Sequence, residues 1–183
     1  EIEAKFFVIA TGSSPFIPRI PGLNNLPYLT NETFFNLKEK PDHLLVMGGG
    51  AVGCELTQAY RSLGTRTSLI EACSLLSRED PDVVAVVRDH FDKQGIHLFE
   101  RSKVLSTFQD KKEICLLLEQ KGQKVRLQGS HLLIATGRRP NIQKLGLDVA
   151  DVTYTPKGIK VDRRLRTSNK KIFAIGDVNG GPQ

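Results

Sequence analysis

The sequence predicts an α/β fold in which a parallel sheet is accompanied by an antiparallel β-meander. Three observations lead to this prediction. A glycine-rich turn joins an apolar strand to a helix, three strand candidates follow one another through short turns, and one apolar strand pattern occurs twice. Strands that alternate with helices favour a parallel sheet, whereas strands joined by short turns favour an antiparallel one.

The glycine-rich turn is Gly-Gly-Gly-Ala-Val-Gly at residues 48–53, directly after the apolar run 43–47. In a strand–turn–helix unit of the G-x-G-x-x-G type, each glycine has its own task. Gly48 permits the tight turn, Gly50 lets backbone approach a pyrophosphate, and Gly53 lets the helix pack close to the strand. The positive N-terminal end of that helix favours the phosphate charge.

The elements after the turn complete a dinucleotide-binding unit. A helix is predicted from about Ala51 to Leu63, with an inner face formed by Val52, Leu56, Ala59 and Leu63. A strand is predicted at 66–70, and Glu71 follows it. A carboxylate at the end of this second strand can accept two hydrogen bonds from an adenosine ribose, so the unit is predicted to bind a dinucleotide.

A second helix and five further strands are predicted downstream. Asp80 as N-cap and Pro81 at the first helical position open the helix, and Gly95 ends it. Its predicted inner face comprises Val83, Val84, Val87, Phe91 and, more weakly, His90. Strands are predicted at 96–99, at 103–109, 113–119 and 124–128 in the meander, and at 131–135 as a buried parallel strand.

The two ends of the chain are predicted to be less regular. A short strand at 6–10 precedes a proline-rich connection that ends at Pro41, which is predicted to be extended with one helical turn. After Pro140 the chain is predicted to be irregular, with a short strand pair near 158–166. A last strand at 172–175 ends at Asp177.

Composition excludes several functions. The formal net charge is +6, but the basic residues are scattered and form no stripe with interleaved aromatic residues, so no nucleic-acid binding is expected. No apolar stretch reaches the roughly 20 residues of a membrane span. Three cysteines without C-x-x-C spacing predict neither a local dithiol nor a metal site, and this odd number favours the cytoplasm.

Cys54 lies on the first turn of the glycine-loop helix, where the helix end lowers the pKa of a thiol. Two interpretations follow, a reactive thiolate or a small packed side chain. The second is favoured, because an unpaired cysteine usually behaves as a small hydrophobic residue.

The repeated pattern carries a resemblance to a known family. Phe7-Val8-Ile9-Ala10-Thr11-Gly12 matches Leu132-Leu133-Ile134-Ala135-Thr136-Gly137, and Phe173-Ala174-Ile175-Gly176-Asp177 closes the chain. Together with the glycine loop, these segments resemble the pyridine nucleotide–disulfide oxidoreductases over essentially the whole chain. The resemblance implies a two-dinucleotide-binding flavoprotein fold, with a Rossmann-like nicotinamide-nucleotide domain inserted into a FAD domain.

The resemblance also assigns site residues. By match, Thr11, Gly12 and Ser13 belong to the first A-T-G, Gly48, Gly50, Gly53 and Glu55 to the NAD(P) loop, and Gly137 to the second A-T-G. Asp177 matches the aspartate that holds the ribityl chain of the flavin, and Val104 matches a valine that lies against the adenine. Glu55 resembles an acid beside the nicotinamide, although it equally fits a first-turn glutamate favoured by the helix dipole.

The implied domains are a FAD-domain end and connection (1–41), an NAD(P)-binding domain (42–137) and a return segment of the FAD domain (138–183). Residues 42–137 are expected to fold around their own core. The family's redox dithiol and catalytic His-Glu pair have no match in the chain, which resembles an internal piece of a longer protein, so no catalytic residue is assigned.

The cofactors implied are NAD and FAD, with FAD expected only in the full-length protein, which the family implies is a homodimer. Glu71-Ala72 favours NAD over NADP. The implied reaction passes a hydride between NAD(H) and FAD and electrons to or from a disulfide, a dithiol or a metal. The alternatives are an NADH oxidase or coenzyme A disulfide reductase and, from another class, a non-catalytic nucleotide-binding regulatory module.

Overall fold

A computed structural model describes residues 2–181 of the chain. Its strands are β1 (Phe7–Ile9), β2 (Ser13–Pro15), β3 (His43–Met47), β4 (Arg66–Ile70), β5 (His97–Phe99), β6 (Ser102–Asp110), β7 (Glu113–Gln120), β8 (Gln123–Gly129), β9 (His131–Ile134), β10 (Arg138–Pro140), β11 (Tyr154–Thr155), β12 (Gly158–Ile159) and β13 (Ile172–Ala174). Its α-helices are α1 (Ala51–Ser62) and α2 (Pro81–Lys93), and short 3-10 helices span Leu23–Asn25, Phe34–Asn36 and Gly176–Asn179.

Contacts divide the chain into two compact units. Unit 1 comprises the described residues up to Phe16 and from Arg138 onward, and unit 2 comprises Ile17–Gly137. The predicted domain limits at 41/42 remain a prediction. In the structure, however, residues 17–41 pack with 42–137, and the reason lies in the cores of unit 2.

Unit 2 contains the predicted parallel sheet, in the order β5-β4-β3-β9. Every neighbouring pair of these strands is parallel. Helices α1 and α2 provide the first two crossovers, and the antiparallel meander β6-β7-β8 replaces a third helix before the chain returns to β9. The predicted α/β fold is confirmed, and the strands and α-helices of this unit begin and end within about two residues of their predicted limits.

The sheet of unit 2 has a core on each face, because side chains alternate along each strand. Leu45 and Met47 of β3 pack towards the meander, with Leu116 among their partners. Leu44 and Val46 point the other way, into a core that includes Cys54 and Phe91 of the two helices. Burial on both faces accounts for the unbroken apolar run of β3.

The connection 17–41 supplies one large side chain to each of these cores. Leu23 is fully buried on the meander side, and Phe34 is fully buried on the helix side. The Leu29 backbone also bonds to β9, donating to Leu132 and accepting from Ile134. Residues 42–137 therefore lack part of their own core, contrary to the expectation that they complete it alone.

The predicted inner face of α1 is wrong. Val52, Ala59 and Leu63 are exposed, whereas Gly53, Cys54 and Thr57 are buried, and Leu56 is only half-buried. The physical reason is the close approach of the helix to β3. A Cβ atom at Gly53 would overlap the carbonyl oxygen of Gly48, so only small side chains fit beneath the helix.

The start of α2 is confirmed, since the Asp80 side chain accepts a hydrogen bond from the Asp82 backbone and Pro81 occupies the first helical position. Its inner face is narrower than predicted. Val84 and Phe91 are buried and Val87 is half-buried, but Val83 is 58 % exposed and His90 lies on the exposed side. Val83 precedes Val84 by one position and therefore points about 100° away from it.

Unit 1 has a core of its own, formed by Leu147, Val152, Ile159, Ala174 and Val178. Strand β1 pairs in parallel with β13, and β2 pairs antiparallel with β10. The strand pair predicted near 158–166 is displaced, because the observed pair is β11 with β12, joined by a tight turn after Thr155. The β2–β10 pair was not predicted.

Candidate functional site: a dinucleotide cradle and a polar cluster

The glycine loop contains two glycines that the fold requires and one, Gly50, that it does not. Gly48 has a φ of 112°, and a Cβ there would lie 2.9 Å from the Thr136 nitrogen and even closer to the Ala135 carbonyl. Gly53 is equally restricted by the Gly48 carbonyl. Gly50 differs, because its φ of −78° suits any residue and no described atom beyond its immediate chain neighbours lies within 4 Å of an added Cβ.

The open space at Gly50 lies at the N-terminus of a 12-residue helix, since Gly50 is the N-cap of α1. Glycine has no side chain to accept from the first-turn N–H groups, so these donors remain for a ligand. The helix dipole adds positive potential at the same place. The chain therefore presents a cradle suited to a phosphate anion that approaches the backbone of Gly50.

Glu71 is bound to the glycine loop. One carboxylate oxygen accepts from Gly49 N at 2.6 Å, and the other accepts from Cys73 N at 2.7 Å. The predicted acid therefore lies beside the cradle, with its charge fixed by two backbone donors. Carboxylate oxygens have further lone pairs, so these bonds leave acceptors for ribose hydroxyls.

The second A-T-G follows β9, and it lies beside the end of β3, where the glycine loop begins. Ala135 N donates to Met47 O at 2.7 Å, which holds the ends of β3 and β9 together. Gly137 has a φ of 116°, a conformation that favours glycine. The sheet order changes direction at this β3–β9 boundary, which is where ligands bind in open α/β sheets.

Two further predicted residues flank the cradle. Glu55 is exposed on α1, but it lies in the second helical turn rather than the first, since the first turn contains no acid. Val104 is half-buried on β6, which begins beside the predicted acid, because Ser102 N donates to Glu71 O at 2.9 Å. A bulge interrupts the β6–β7 pairing directly after Val104.

Cys54 is a packed side chain. It is 7 % exposed, and its thiol donates to Gly49 O at 3.6 Å. Burial, together with the charges of Glu71 and Glu55, raises the pKa of the Cys54 thiol to about 12. The helix dipole is outweighed, and the interpretation as a small packed side chain is confirmed.

In unit 1, the four predicted residues Thr11, Gly12, Ser13 and Asp177 lie at or beside a polar cluster centred on Ser13. The Ser13 hydroxyl donates to Asp177 Oδ2 at 2.5 Å. Arg138 donates through Nε to the Ser13 hydroxyl and through Nη2 to the Ser13 carbonyl, both at 2.6 Å. Thr11 and Gly12 are bound nearby by Asn141, whose side chain donates to Thr11 O at 2.9 Å and whose N–H donates to Gly12 O.

Arg138 and Asn141 were missed by the sequence-based prediction. The available signal was a repeat: Arg138-Arg139-Pro140 follows the second A-T-G as Ser13-Ser14-Pro15 follows the first, and Asn141 comes next. Pairing of β2 with β10 brings the two segments together, with Arg139 opposite Ser14. The predicted site residues thus form two groups, the dinucleotide cradle in unit 2 and the Ser13 cluster in unit 1.

Two features are absent from residues 2–181, a cluster of metal ligands and a helix able to span a membrane. That range contains no group of three or more His, Cys, Asp or Glu residues arranged to hold a metal ion. Neither helix in it has the length and apolarity needed to cross a bilayer.

Comparison with known proteins gives a consistent result. The protein family described as pyridine nucleotide-disulphide oxidoreductase matches residues 1–183. A mercuric reductase of Streptomyces lividans is 40% identical over 182 residues, which cover 99% of this chain and 38% of that protein. A dihydrolipoyl dehydrogenase of Geobacillus stearothermophilus is 33% identical over 96% of this chain and 37% of its own length.

A solved structure gives the same result. The HOCl-induced flavoprotein disulfide reductase RclA from Escherichia coli superimposes with a TM-score of 0.91 at 31% identity, covering 100% of this chain and 42% of that chain. The chain therefore spans about two-fifths of the length of each of these relatives.

Proposed function

This chain belongs to the pyridine nucleotide-disulphide oxidoreductase family, and we propose that it supplies the NAD(H)-binding part of an FAD-dependent enzyme. In the proposed reaction a hydride passes between NAD(H) and FAD, and electrons pass to or from a disulfide, a dithiol or a metal substrate. The relatives support both kinds of substrate, since one is named a mercuric reductase and another a dihydrolipoyl dehydrogenase. We place the enzyme in the cytoplasm because the three cysteines are free thiols.

The observation that carries the proposal is the contrast within the glycine loop. Gly48 and Gly53 are glycines because the fold leaves no room for a Cβ, but nothing in the described chain requires a glycine at Gly50. An exposed helix N-terminus next to a glycine without a structural role fits a pyrophosphate that lies against the backbone. Glu71, bound to the same loop, is in place for the adenosine ribose.

The residues of this chain bind and orient the nucleotide. The cradle at Gly50 and the N-terminus of α1 hold the pyrophosphate, Glu71 accepts from the ribose, and Val104 lies against the adenine. Glu55, which is exposed in the second turn of α1, would lie beside the nicotinamide in the proposed complex. The redox chemistry of the nicotinamide and flavin rings belongs to the cofactors themselves.

FAD would meet the Ser13 cluster. The residues present fit a cofactor hydroxyl, because the Asp177 carboxylate is 38 % exposed and has only one of its oxygens bonded to Ser13 and close to Arg138. In the proposed complex Asp177 would accept from the flavin side chain, and Thr11 and Gly12 would shape the neighbouring backbone. The proposal thus gives the full-length protein one site for NAD(H) and one for FAD. It also includes a homodimer of the full-length protein.

The test is the choice between NADH and NADPH. The 2′-phosphate of NADPH would approach the Glu71 carboxylate, and two like charges about 4 Å apart repel by about 4 kcal/mol at an effective dielectric constant near 20. Ala72 offers no compensating charge. Calorimetric titration of the chain is expected to give tighter binding of NADH than of NADPH.

The matched variant is Glu71→Gln, which keeps an oxygen for Gly49 N but removes the charge. It is expected to reduce the preference for NADH over NADPH, chiefly because NADPH binds more tightly. Tighter binding of NADPH by the unaltered chain contradicts the assignment of Glu71. Binding of neither nucleotide contradicts the proposed function, and binding without flavin reduction in the full-length protein favours the non-catalytic module.

A further inference from the structure

The segment between β4 and α2, residues 72–79, is attached to the glycine loop at Gly49. Leu76 N donates to the Gly49 carbonyl at 2.8 Å, and Gly49 N donates to Glu71 at 2.6 Å. The N–H and the C=O of Gly49 are thus held by Glu71, which precedes this segment, and by Leu76, which lies within it. Any displacement of the segment moves Gly49, next to the pyrophosphate cradle.

The segment is anchored at its far side by the Arg101 N–H, which donates to Cys73 O at 2.8 Å, and by the Glu100 carboxylate. Leu75 N donates to Glu100 Oε1 at 2.6 Å. Arg88 of α2 forms a two-pronged pair with the same carboxylate, Nη2 to Oε1 at 2.8 Å and Nε to Oε2 at 2.9 Å. Glu100 follows β5 directly, so a single side chain connects the sheet, α2 and the segment 72–79.

The anchor acts on a backbone that needs external support. Leu76 adopts a left-handed φ of 46°, which is uncommon for a residue other than glycine. Leu75, its neighbour, is 1 % exposed in the helix-side core. A leucine keeps a left-handed backbone conformation only where surrounding contacts stabilise it. The hydrogen bond from Leu75 N to Glu100 is such a contact, one residue before Leu76.

The anchor is partly shielded from water. Glu100 is 24 % and Arg88 39 % exposed in their side chains. Hydrogen bonding to Arg88 lowers the pKa of Glu100, with the Leu75 N–H and the charge of Arg88 acting in the same direction, while burial opposes them. A two-pronged arginine–carboxylate pair is among the stronger and more directional polar contacts in proteins.

We propose that Glu100, oriented by Arg88, is a positioning residue for the nucleotide site: it holds residues 72–79 so that Gly49 and Glu71 face the dinucleotide. The effect is indirect, because Glu100 acts through Leu75 and Leu76 rather than on the ligand. This inference rests on the proposed binding of NADH.

The experiment compares three variants of the chain. Glu100→Ala removes the anchor, Glu100→Gln keeps an oxygen for Leu75 N, and Val84→Ala removes buried volume from α2 without touching the anchor. Loss of a charged hydrogen bond predicts that Glu100→Ala raises the Kd for NADH by about tenfold or more. Glu100→Gln is expected to stay within about threefold of the unaltered chain.

Val84→Ala separates positioning from stability. It lowers the denaturation midpoint but is expected to leave the Kd for NADH unchanged, because the segment stays anchored. An equal rise in Kd for Val84→Ala and Glu100→Ala overturns the inference, as does an unchanged Kd for Glu100→Ala.

Hydrogen exchange in the absence of nucleotide tests the anchor independently of the proposed function. Glu100→Ala is expected to speed exchange at the Gly49, Leu75 and Leu76 amides. Val84→Ala is expected to leave these three amides as protected, relative to other amides, as they are in the unaltered chain. Unchanged exchange at these amides overturns the inference even where NADH binds. Faster exchange in a chain that fails to bind NADH contradicts the proposed function and, with it, the role of the anchor in nucleotide binding.

Discussion

At the scale of single residues, Gly50 gives the sharpest test of the cradle. Gly50→Val places a branched side chain in the open space at the N-terminus of α1, where the pyrophosphate must lie against backbone. The φ of −78° and ψ of −177° at Gly50 suit valine, so the fold is expected to persist. NADH binding is expected to weaken by about a hundredfold or more, equivalent to about 3 kcal/mol.

Circular dichroism and calorimetric titration measure the two effects separately. The matched control is Gly53→Ala, whose methyl group would overlap the Gly48 carbonyl. This change is expected to lower stability by about 1–3 kcal/mol, as overpacking does. A Gly50→Val chain that retains both its dichroism and its NADH affinity contradicts the assigned site.

Residue roles were predictable where a pattern implied a backbone need. The glycine loop and Glu71 follow from spacing alone, and the structure brings them together. For Cys54 the sequence left two interpretations and favoured the packed side chain, but the size of the effect did not follow: burial and two nearby carboxylates raise the thiol pKa, whereas position on a helix alone predicts a lowered one. Burial depends on the packing of α1 against the sheet, which a local pattern does not report.

At the scale of elements, His43 at the start of β3 makes the sheet sensitive to acid. Its Nε2 lies 2.9 Å from the Ser68 hydroxyl on β4. Burial, together with the charge of Arg66, lowers the pKa of His43 from 6.5 to about 4, against a backbone hydrogen bond at Gln128 that raises it. The unfolded chain therefore takes up the proton first as the pH falls.

The pH dependence follows from this difference. The contribution of His43 to stability is complete above pH 6.5 and is lost between pH 6.5 and about 4, at most about 3 kcal/mol. Urea denaturation across this range is expected to show a smaller decrease for His43→Gln than for the unaltered chain. If the free energy of unfolding falls equally with pH in the two proteins, a group other than His43 causes the loss. Glu100 is one such group, since its lowered pKa affects both proteins alike.

Elements with a continuous apolar run or a helix cap were predicted within about two residues, because such signals are local. The β2–β10 pair was missed for the opposite reason. Its strands are Ser-Ser-Pro and Arg-Arg-Pro, and Arg138 bonds to Ser13 across 125 residues of sequence. The face of α1 was wrong because Gly53 brings the helix so close to β3 that small residues, not large apolar ones, lie beneath it.

At the scale of the whole molecule, unit 2 rather than residues 42–137 is expected to fold alone. Leu23 and Phe34 are both fully buried in its two cores. Truncating one such leucine or phenylalanine costs about 2–5 kcal/mol, and removing both approaches the total stability of a typical domain. A chain of residues 17–137 is expected to unfold cooperatively in urea and to bind NADH, whereas a chain of 42–137 is expected to aggregate or unfold.

Phe34→Ala in the longer chain is the intermediate case, with an expected loss of about 3–5 kcal/mol and retained cooperativity. Equal stability of the two chains would show that the 17–41 segment only covers the surface of unit 2. That outcome would restore the predicted boundary at residue 42.

Unit 1 leads to the last prediction, that the 183-residue chain binds NADH but carries no flavin. The chain contains one G-x-G-x-x-G turn, and unit 2 uses it. The Ser13 cluster offers the Asp177 carboxylate and little else, since Ser13 is only 8 % exposed and Thr11 is bonded to Asn141. Apolar residues of β1 and its approach also remain exposed, with Phe6 at 52 % and Val8 at 58 %.

A flavin needs its pyrophosphate held as well as its side chain, and a single carboxylate leaves most of the cofactor in water. The purified chain, incubated with excess FAD and separated from free cofactor, is expected to show no oxidised-flavin absorption near about 450 nm. Titration of the same sample with NADH provides the control that it is folded. A stoichiometric flavin band would show that unit 1 holds FAD with the residues already present, and the Ser13 cluster would then be a complete site rather than half of one.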